Sequence, residues 1–302
     1  MSFRVTPPFA SLRAFEAVGR CGGIRAAGIA LGLSHTVVSR HVRALEEWLG
    51  TPLLSRSARQ TELTETGQQY HQQVSAALAQ LAAASAAVMQ GDRTAIRLWC
   101  VPGFAAQWLS DQIAKFEHQW PQYTIELRPT DTQADLAMLE ADVDIRYYID
   151  SAPSRPGGPG LRTLDLARPP VLAVASPALA SELSGLSDPK RLLHAPMLHE
   201  EDDRQWRDWL RLNGVEVPAE LPGPRMWHAH LALQAARRGQ GVALGSHYLV
   251  GQDLAAGQLC EIDVTGARPV PLGTYTFVAR ADLWRIPIIA RLRQFLHTAA
   301  SA

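Results

Sequence analysis

The stretch Ser34-His35-Thr36-Val37-Val38-Ser39-Arg40-His41-Val42-Arg43-Ala44-Leu45-Glu46-Glu47 leaves this chain few ways to fold. Ser34 carries a short hydroxyl suited to accept one of the orphan amides at a helix start. Val38, Val42 and Leu45 follow at spacings of four and three, which puts them on one helical face. The opposite face carries His35, Thr36, Ser39, Arg40 and Arg43. Hydroxyls, imidazoles and guanidiniums in the first half of a helix can reach phosphate oxygens and base edges in a major groove. Ile24–Leu31 predicts a shorter helix just before, joined through Gly32-Leu33. Two short helices about a glycine turn describe a helix-turn-helix. An ordinary surface helix would also fit this segment alone, so its flanks decide.

Ser11 is placed to cap a first helix with Leu12, Phe15 and Val18 on one face. After Gly50, Thr51-Pro52-Leu53-Leu54 reads as a turn and a short strand, residues 55–60 as a hairpin tip, and Thr61-Glu62-Leu63 as the return strand. That pattern predicts a wing with Arg56 and Arg59 at its tip, able to lie along a backbone or enter a minor groove. Thr64-Glu65-Thr66-Gly67 opens a further helix with a hydroxyl cap and an acid in its first turn, running to about Gln90. Val74, Leu78, Leu81, Ser85 and Val88 recur at heptad spacing along it. A long helix with a narrow apolar stripe and almost no charge needs a partner, so it is expected to be a dimerising linker.

Charge supports a nucleic-acid arm. Residues 1–62 hold eight Arg against four Glu, a net of +4, while the whole chain is formally neutral. The length of 302 residues suggests two domains, each able to bury a core. Cys21, Cys100 and Cys260 stand far apart in no metal spacing, which suits a reducing cytosol better than a disulfide scaffold. The sequence has no apolar leader and no run near eighteen apolar residues, so a soluble cytoplasmic protein without membrane contact is expected.

From Arg93 onward the pattern changes. Ala95–Val101, Thr124–Arg128 and Val143–Tyr148 read as strands, with helices over Phe104–Trp120 and Gln133–Leu139 between them. This alternation predicts parallel strands with helices on both faces. Further strands are expected at Pro170–Ala175, Gly241–Gly245 and Thr274–Arg280, and helices at Trp206–Leu212, His230–Arg238, His247–Ala256 and Ile286–Thr298. The fold class is α/β: a winged helix-turn-helix over 1–63, a linker helix over 64–91, and a two-lobed domain over 92–302. Lobe 1 would take about 92–167 and 269–302, and lobe 2 about 168–268.

The run Leu12-Arg13-Ala14-Phe15-Glu16-Ala17-Val18, Ala26-Ala27, Leu31-Gly32-Leu33-Ser34, Val38-Ser39-Arg40, Arg43-Ala44-Leu45-Glu46, Leu49-Gly50-Thr51-Pro52-Leu53, Arg56 and Leu63-Thr64-Glu65-Thr66-Gly67 resembles the LysR-type transcriptional regulators, in the branch that includes regulators of glycine cleavage and of β-lactamase induction. The resemblance implies a DNA-binding winged helix-turn-helix, a linker helix, and a ligand-sensing domain similar to periplasmic binding proteins. It also departs from the family pattern. Gly23 stands where a capping Ser is usual, Gly28 where Ala is usual, Ile29 at a commonly charged site, and His35-Thr36 where Gln-Pro or Gln-Ser is frequent. On this reading Arg25, Ser34, His35, Thr36, Val37, Ser39, Arg40, Arg43, Arg56 and Arg59 would meet DNA, with Arg40 and Arg43 on phosphate or guanine.

In binding domains of this type the ligand sits between lobes near helix N-termini. The strand-to-helix turn Cys100-Val101-Pro102-Gly103-Phe104 is the first candidate, with Cys and Val where relatives often carry Ser or Thr. Cys100 reads more readily as a packed thiol than as a redox sensor. Thr130, Asp131, Arg146, Tyr147, His199, Glu200, Trp227, His228 and Ser246 complete the set. Arg146 can meet a ligand acid or pair with Asp144 or Asp150. His228-Ala229-His230 would point its imidazoles apart on a strand, with no third ligand for a metal. No metal or other cofactor is called for. There is no G-x-S-x-G, no phosphate loop, and Gly239-Gln240-Gly241 follows a helix, so an enzyme is not expected. The expected partners are double-stranded DNA at a dyad-symmetric site, a second copy of the chain in a homodimer or homotetramer, an unidentified small-molecule effector, and RNA polymerase. A solute-binding protein without a DNA site is the alternative.

Overall fold

The computed structural model describes residues 6–56, 61–89, 93–151, 160–183, 188–263 and 266–301, without the side chains of 56, 61, 82, 83 and 85–89. It divides into two compact units, Met1–Gln90 and Gly91–Ala302.

The first unit is built from α1 (Phe9–Cys21), α2 (Ile24–Leu31), α3 (His35–Leu49), a two-stranded hairpin β1 (Leu54–Arg56) and β2 (Thr61–Leu63), and α4 (Glu65–Met89). Phe15, Val18, Ala27, Val38, Val42, Leu45 and Leu53 form its core. The period of 3.6 explains this, because each helix turns one stripe inward. Each of the first three helices ends on a left-handed glycine, Gly22, Gly32 and Gly50, which frees no side chain to clash as the chain reverses. Ser11 does not cap α1. The helix starts earlier, with the Pro8 carbonyl accepting from the Ser11 and Leu12 amides, and Ser11 lies buried inside the first turns. Gly28 is more than a weak helix former. Its carbonyl accepts the Leu33 amide at 2.9 Å, and a Cβ there would meet the Leu33 carbonyl oxygen at 2.8 Å. On α4, His71 Nε2 reaches the Glu16 carbonyl at 2.9 Å. Val74 and Leu78 of the expected seam are buried and Leu81 is exposed, while the side chains of Ser85 and Val88 lie outside the described residues.

The second unit has two sheets. The five-stranded sheet runs in the order β4 (Thr124–Pro129), β3 (Ala95–Cys100), β5 (Val143–Ile149), β11 (Gly273–Arg280), β6 (Leu161–Ala167). Only β4, β3 and β5 are parallel; β11 is antiparallel to both its neighbours. The second sheet, β10 (Val270–Pro271), β7 (Pro170–Ala175) and β8 (Ala243–Ser246) with β9 (Cys260–Glu261) also on β7, is antiparallel throughout. The expectation of parallel pairing, drawn for the strands at 95–101, 124–128 and 143–148, therefore holds, and the later strands are antiparallel. β6 went unread because only one of its seven residues is buried, as befits an edge strand. Gln133–Leu139 is not a helix: the Asp144 carboxylate takes the Ala134 amide, Asp135 takes Met138, and Leu139 adopts a positive φ of 62°. Carboxylates thus hold amides that a helix would have used.

Between the strands run α5 (Pro102–Phe104), continued by a π-helical turn Ala105–Leu109 into α6 (Ser110–Gln119), then α7 (Pro177–Leu183), α8 (Arg204–Leu212), α9 (Ala229–Arg237), α10 (His247–Ala255) and α11 (Pro287–Ser301). α9 and α10 share one core with the first sheet, where Phe104, Leu109, Leu233 and Tyr248 pack among Leu98, Ile145 and Phe277. Trp206 and Trp209 centre a second core behind β7. The chain passes between sheets through two short links, residues 168–169 and 272, and Arg168 pairs with Asp150 at 2.5 Å beside them. No helix among the described residues is long and apolar enough to cross a membrane.

Candidate functional site

On the first unit, α3 presents a built polar face. Ser34 takes an extended backbone and its Oγ accepts the Val37 amide at 3.4 Å, so the helix begins at His35. His35, Thr36, Arg40 and Arg43 are exposed, and Val37 and Ser39 sit half-buried at the margin. Thr36 Oγ1 and His35 Nδ1 stand 3.2 Å apart, which orients both at the helix start. Arg25 is exposed on α2. Arg59, and the side chain of Arg56, lie outside the described residues.

Sequence reasoning missed what ties the hairpin to α3. Glu46 Oε1 accepts both the Leu53 amide at 2.8 Å and the Leu54 amide at 3.0 Å. One carboxylate on the last turns of α3 thus fixes where β1 starts. Two amides on one carboxylate oxygen are charge-assisted bonds, stronger than neutral ones. Ile29, 86% exposed, and Leu33 form an uncharged margin beside the turn.

In the second unit a cavity of about 510 Å³ opens between the two sheets. Val101, Pro102, Gly103 and Phe104 from the β3–α5 turn line one side, with Asp131, Arg146 and Tyr147. Glu200, Trp227, His228 and Ser246 line the other. Three expected residues stay out of it. Cys100 is wholly buried beneath the turn, and burial pushes its thiol up to about 12, far from thiolate chemistry. The Thr130 carbonyl accepts from Arg146, and its hydroxyl oxygen accepts from the Thr132 amide. His199 is buried behind the wall, and its ring nitrogens have no hydrogen-bond partner among the described residues. The cavity gains residues the sequence did not single out: Gln133, Tyr148, Glu201, Asp202, Arg204, Gln205 and Tyr275. The acidic run 200–203 was a visible signal; Tyr275, on a strand buried throughout, gave none.

Arg146 is spoken for. Its Nε donates to Asp144 Oδ1 at 2.8 Å, Nη1 donates to the Thr130 carbonyl at 2.5 Å, and Nη2 donates to the Thr132 carbonyl. Burial raises the Asp144 carboxyl, while Arg146 and the Ala134 amide pull it back down. Arg204 pairs with Asp202 at 3.3 Å. Across the cavity, Asp131 Oδ2 lies 3.4 Å from His228 Nδ1. His228 and His230 do not point apart on a strand. His228 caps α9, and the two rings stack 5.3 Å apart at 12°. Burial chiefly, with repulsion from His228, lowers the His230 ring below its usual range.

The floor is aromatic. Phe104 stacks on Tyr275 at 4.2 Å, and Tyr147 leans on Tyr275 at 4.8 Å. Trp227, 67% exposed, holds a positive φ of 63° while its amide donates to the Glu200 carbonyl at 3.1 Å. Burial above all pushes the Glu200 carboxyl up to about 7; the Gln205 side chain opposes that shift and Asp202 adds to it. Burial also pushes Tyr147 and Tyr275 up, so both hydroxyls remain neutral donors.

Both units have close counterparts. Residues 9–68 match the bacterial regulatory helix-turn-helix protein, lysR family, and residues 89–301 match the LysR substrate binding domain. The glycine cleavage system transcriptional activator of Escherichia coli K12 is 31% identical over 254 residues, covering 84% of this chain and 81% of that protein. The regulator TrpI of Pseudomonas aeruginosa is 30% identical over 301 residues, covering 97% of each. Among solved structures, the LysR-type regulator CrgA of Neisseria meningitidis shares the fold at a TM-score of 0.55 and 22% identity, over 98% of this chain and 99% of that one. The capped polar face, the tethered hairpin and the two-sheet unit with its cavity therefore belong to a transcriptional regulator of the LysR family.

Proposed function

We propose that α3 enters the major groove of a dyad-symmetric promoter site and that a small molecule in the cavity modulates this binding. The observation that carries the DNA half is the exposed run His35, Thr36, Arg40 and Arg43 on a helix whose start is fixed by Ser34. Arg40 and Arg43 take phosphates or guanine; Ser34, His35, Thr36, Val37 and Ser39 take base edges and backbone; Arg25, Arg56 and Arg59 take flanking phosphates. The chain works as a dimer through α4, paired again into a tetramer, so two recognition helices sit about 34 Å apart in successive major grooves. Effector binding shifts the population of assemblies, and with it promoter bending and contact with RNA polymerase. Activation is the favoured sign, after the E. coli relative named as an activator. The setting is the cytoplasm, and the cavity binds rather than reacts.

The test is a pull-down of genomic DNA fragments by the purified full chain, followed by footprinting of the strongest fragment. A protected dyad-symmetric site supports the proposal. No enrichment over random DNA at low and moderate salt would refute it, and leave the second unit as a binding protein in its own right.

A further inference from the structure

We propose that the cavity takes an organic cation: an amine or guanidine carried on an apolar, preferably aromatic, body. This rests on the reading of the cavity as the effector site and names the ligand class for it.

The lining's strong bases are already engaged. Arg146 spends its guanidinium on buried Asp144 and two carbonyls, and Arg204 lies against Asp202. The lining acids are not matched in the same way. Asp131 faces the imidazoles of His228 and His230, and Glu200 has no ion-pair partner among the described residues. Glu201 adds a further carboxylate to the same wall. Burying a carboxylate without a counter-charge is costly, and the raised Glu200 carboxyl registers that cost. A ligand ammonium beside it would supply the missing counter-charge, whereas a ligand carboxylate would meet like charge.

A second, independent feature points to a polar ligand. Ser246, 3% exposed, lines the cavity with an Oγ that makes no hydrogen bond of ordinary geometry, only a loose approach to Tyr275. The Tyr147 hydroxyl is likewise buried without a partner. Buried polar atoms are normally satisfied, so these two await an acceptor or donor from outside. The body of the ligand is set by Phe104, Tyr147 and Tyr275 on the floor and by Trp227 beside Glu200. Aromatic faces attract cations through the ring quadrupole. At the β3–α5 turn itself, Val101 offers an anion no polar side chain and Pro102 no N–H.

Matched probes test this by calorimetry on the full chain at pH 8: tryptamine against indole-3-propionate, and phenethylamine against 3-phenylpropionate. The amine of each pair is expected to bind at least about tenfold tighter than its carboxylate twin, with that gap collapsing in Glu200→Gln. Trp227→Ala, at an exposed position, should weaken both amines and serves as a second variant. A carboxylate preference, or a gap that Glu200→Gln leaves intact, would overturn the assignment of charge while leaving the cavity as effector site. No binding by either series would overturn the assignment as well. If footprints of the operator then also stay unchanged when the cavity is filled by Ser246→Trp, the effector reading itself falls.

Discussion

Replacing Glu200 with Gln should stabilise the protein at alkaline pH and do little in acid. The Glu200 carboxyl is pushed from 4.5 up to about 7, chiefly by burial, with Asp202 adding repulsion and Gln205 easing the charge. A carboxyl whose folded pKa lies above its unfolded value is held neutral by the fold. Its contribution is fully present below 4.5 and is lost as pH rises through about 7. The rise from 4.5 to about 7, converted at about 1.36 kcal/mol per tenfold change in proton affinity, gives about 3 kcal/mol as a ceiling, and the half-buried side chain lowers it to about 2. Glutamine keeps the shape and cannot ionise, so the variant escapes that loss. For a unit of this size, about 2 kcal/mol corresponds to a rise of about 4–8 °C in Tm. The assay is thermal unfolding of both full chains from pH 4.5 to 8.5, followed by fluorescence of the buried Trp206 and Trp209. The Tm gap should open between pH 5 and 8 and then level off. A gap independent of pH, or a less stable variant at pH 8.5, would refute the view that Glu200 is an uncompensated charge.

Three further outcomes are expected. Arg40→Ala should weaken operator binding and reduce the slope of log K against log salt by about 1, as measured by fluorescence anisotropy across a salt series; an unchanged slope would remove Arg40 from the phosphates. Glu46→Ala should cost the first unit about 2 kcal/mol in urea unfolding and lower DNA affinity with the salt slope unchanged, because the lost carboxylate bonds the Leu53 and Leu54 amides and not the nucleic acid. Trp206→Ala should cost about 3–5 kcal/mol by chemical denaturation of the second unit, since it empties the core behind β7 and orphans the Leu198 carbonyl; a loss under 1 kcal/mol would mean that the core collapses around the gap.

The first unit was largely legible because its signals are local. Ser34 and the spacing of Val38, Val42 and Leu45 fix α3 without help from the rest of the chain. In the second unit the parallel pairing of β3, β4 and β5 was legible, and that of the later strands was not. Whether β11 runs parallel or antiparallel to β5 depends on contacts more than a hundred residues apart in sequence, and no local period records that direction. The segment 133–139 reads as a helix between two strands, with Leu136 and Leu139 three apart, yet Asp144 on the following strand claims the Ala134 amide. In the cavity, the turn at 101–104 and Glu200 could be read because each follows an apolar strand, and Trp227 because it stands just before a helix. Tyr275 could not, because its alternation is that of any core strand. The engagement of Arg146 was one of two readings that the sequence allowed, and the buried bond to Asp144, with the Thr130 and Thr132 carbonyls, decides between them.

The Glu46 tether makes the helix and the hairpin a single gauge. Their separation is set by a carboxylate that lies inside the unit, between the last turns of α3 and the first residues of β1. A genetic screen for lost promoter binding would therefore return substitutions at Glu46 beside those at Arg40 and Arg43. If α3 grips DNA as proposed, the three would look alike on a plate and differ in a titration: the arginine changes would weaken the grip on each phosphate, whereas the Glu46 change would blur the distance at which the grip is offered. A protein that measures its site with a fixed gauge would then discriminate poorly between correctly and incorrectly spaced sequences, even with every contacting side chain intact.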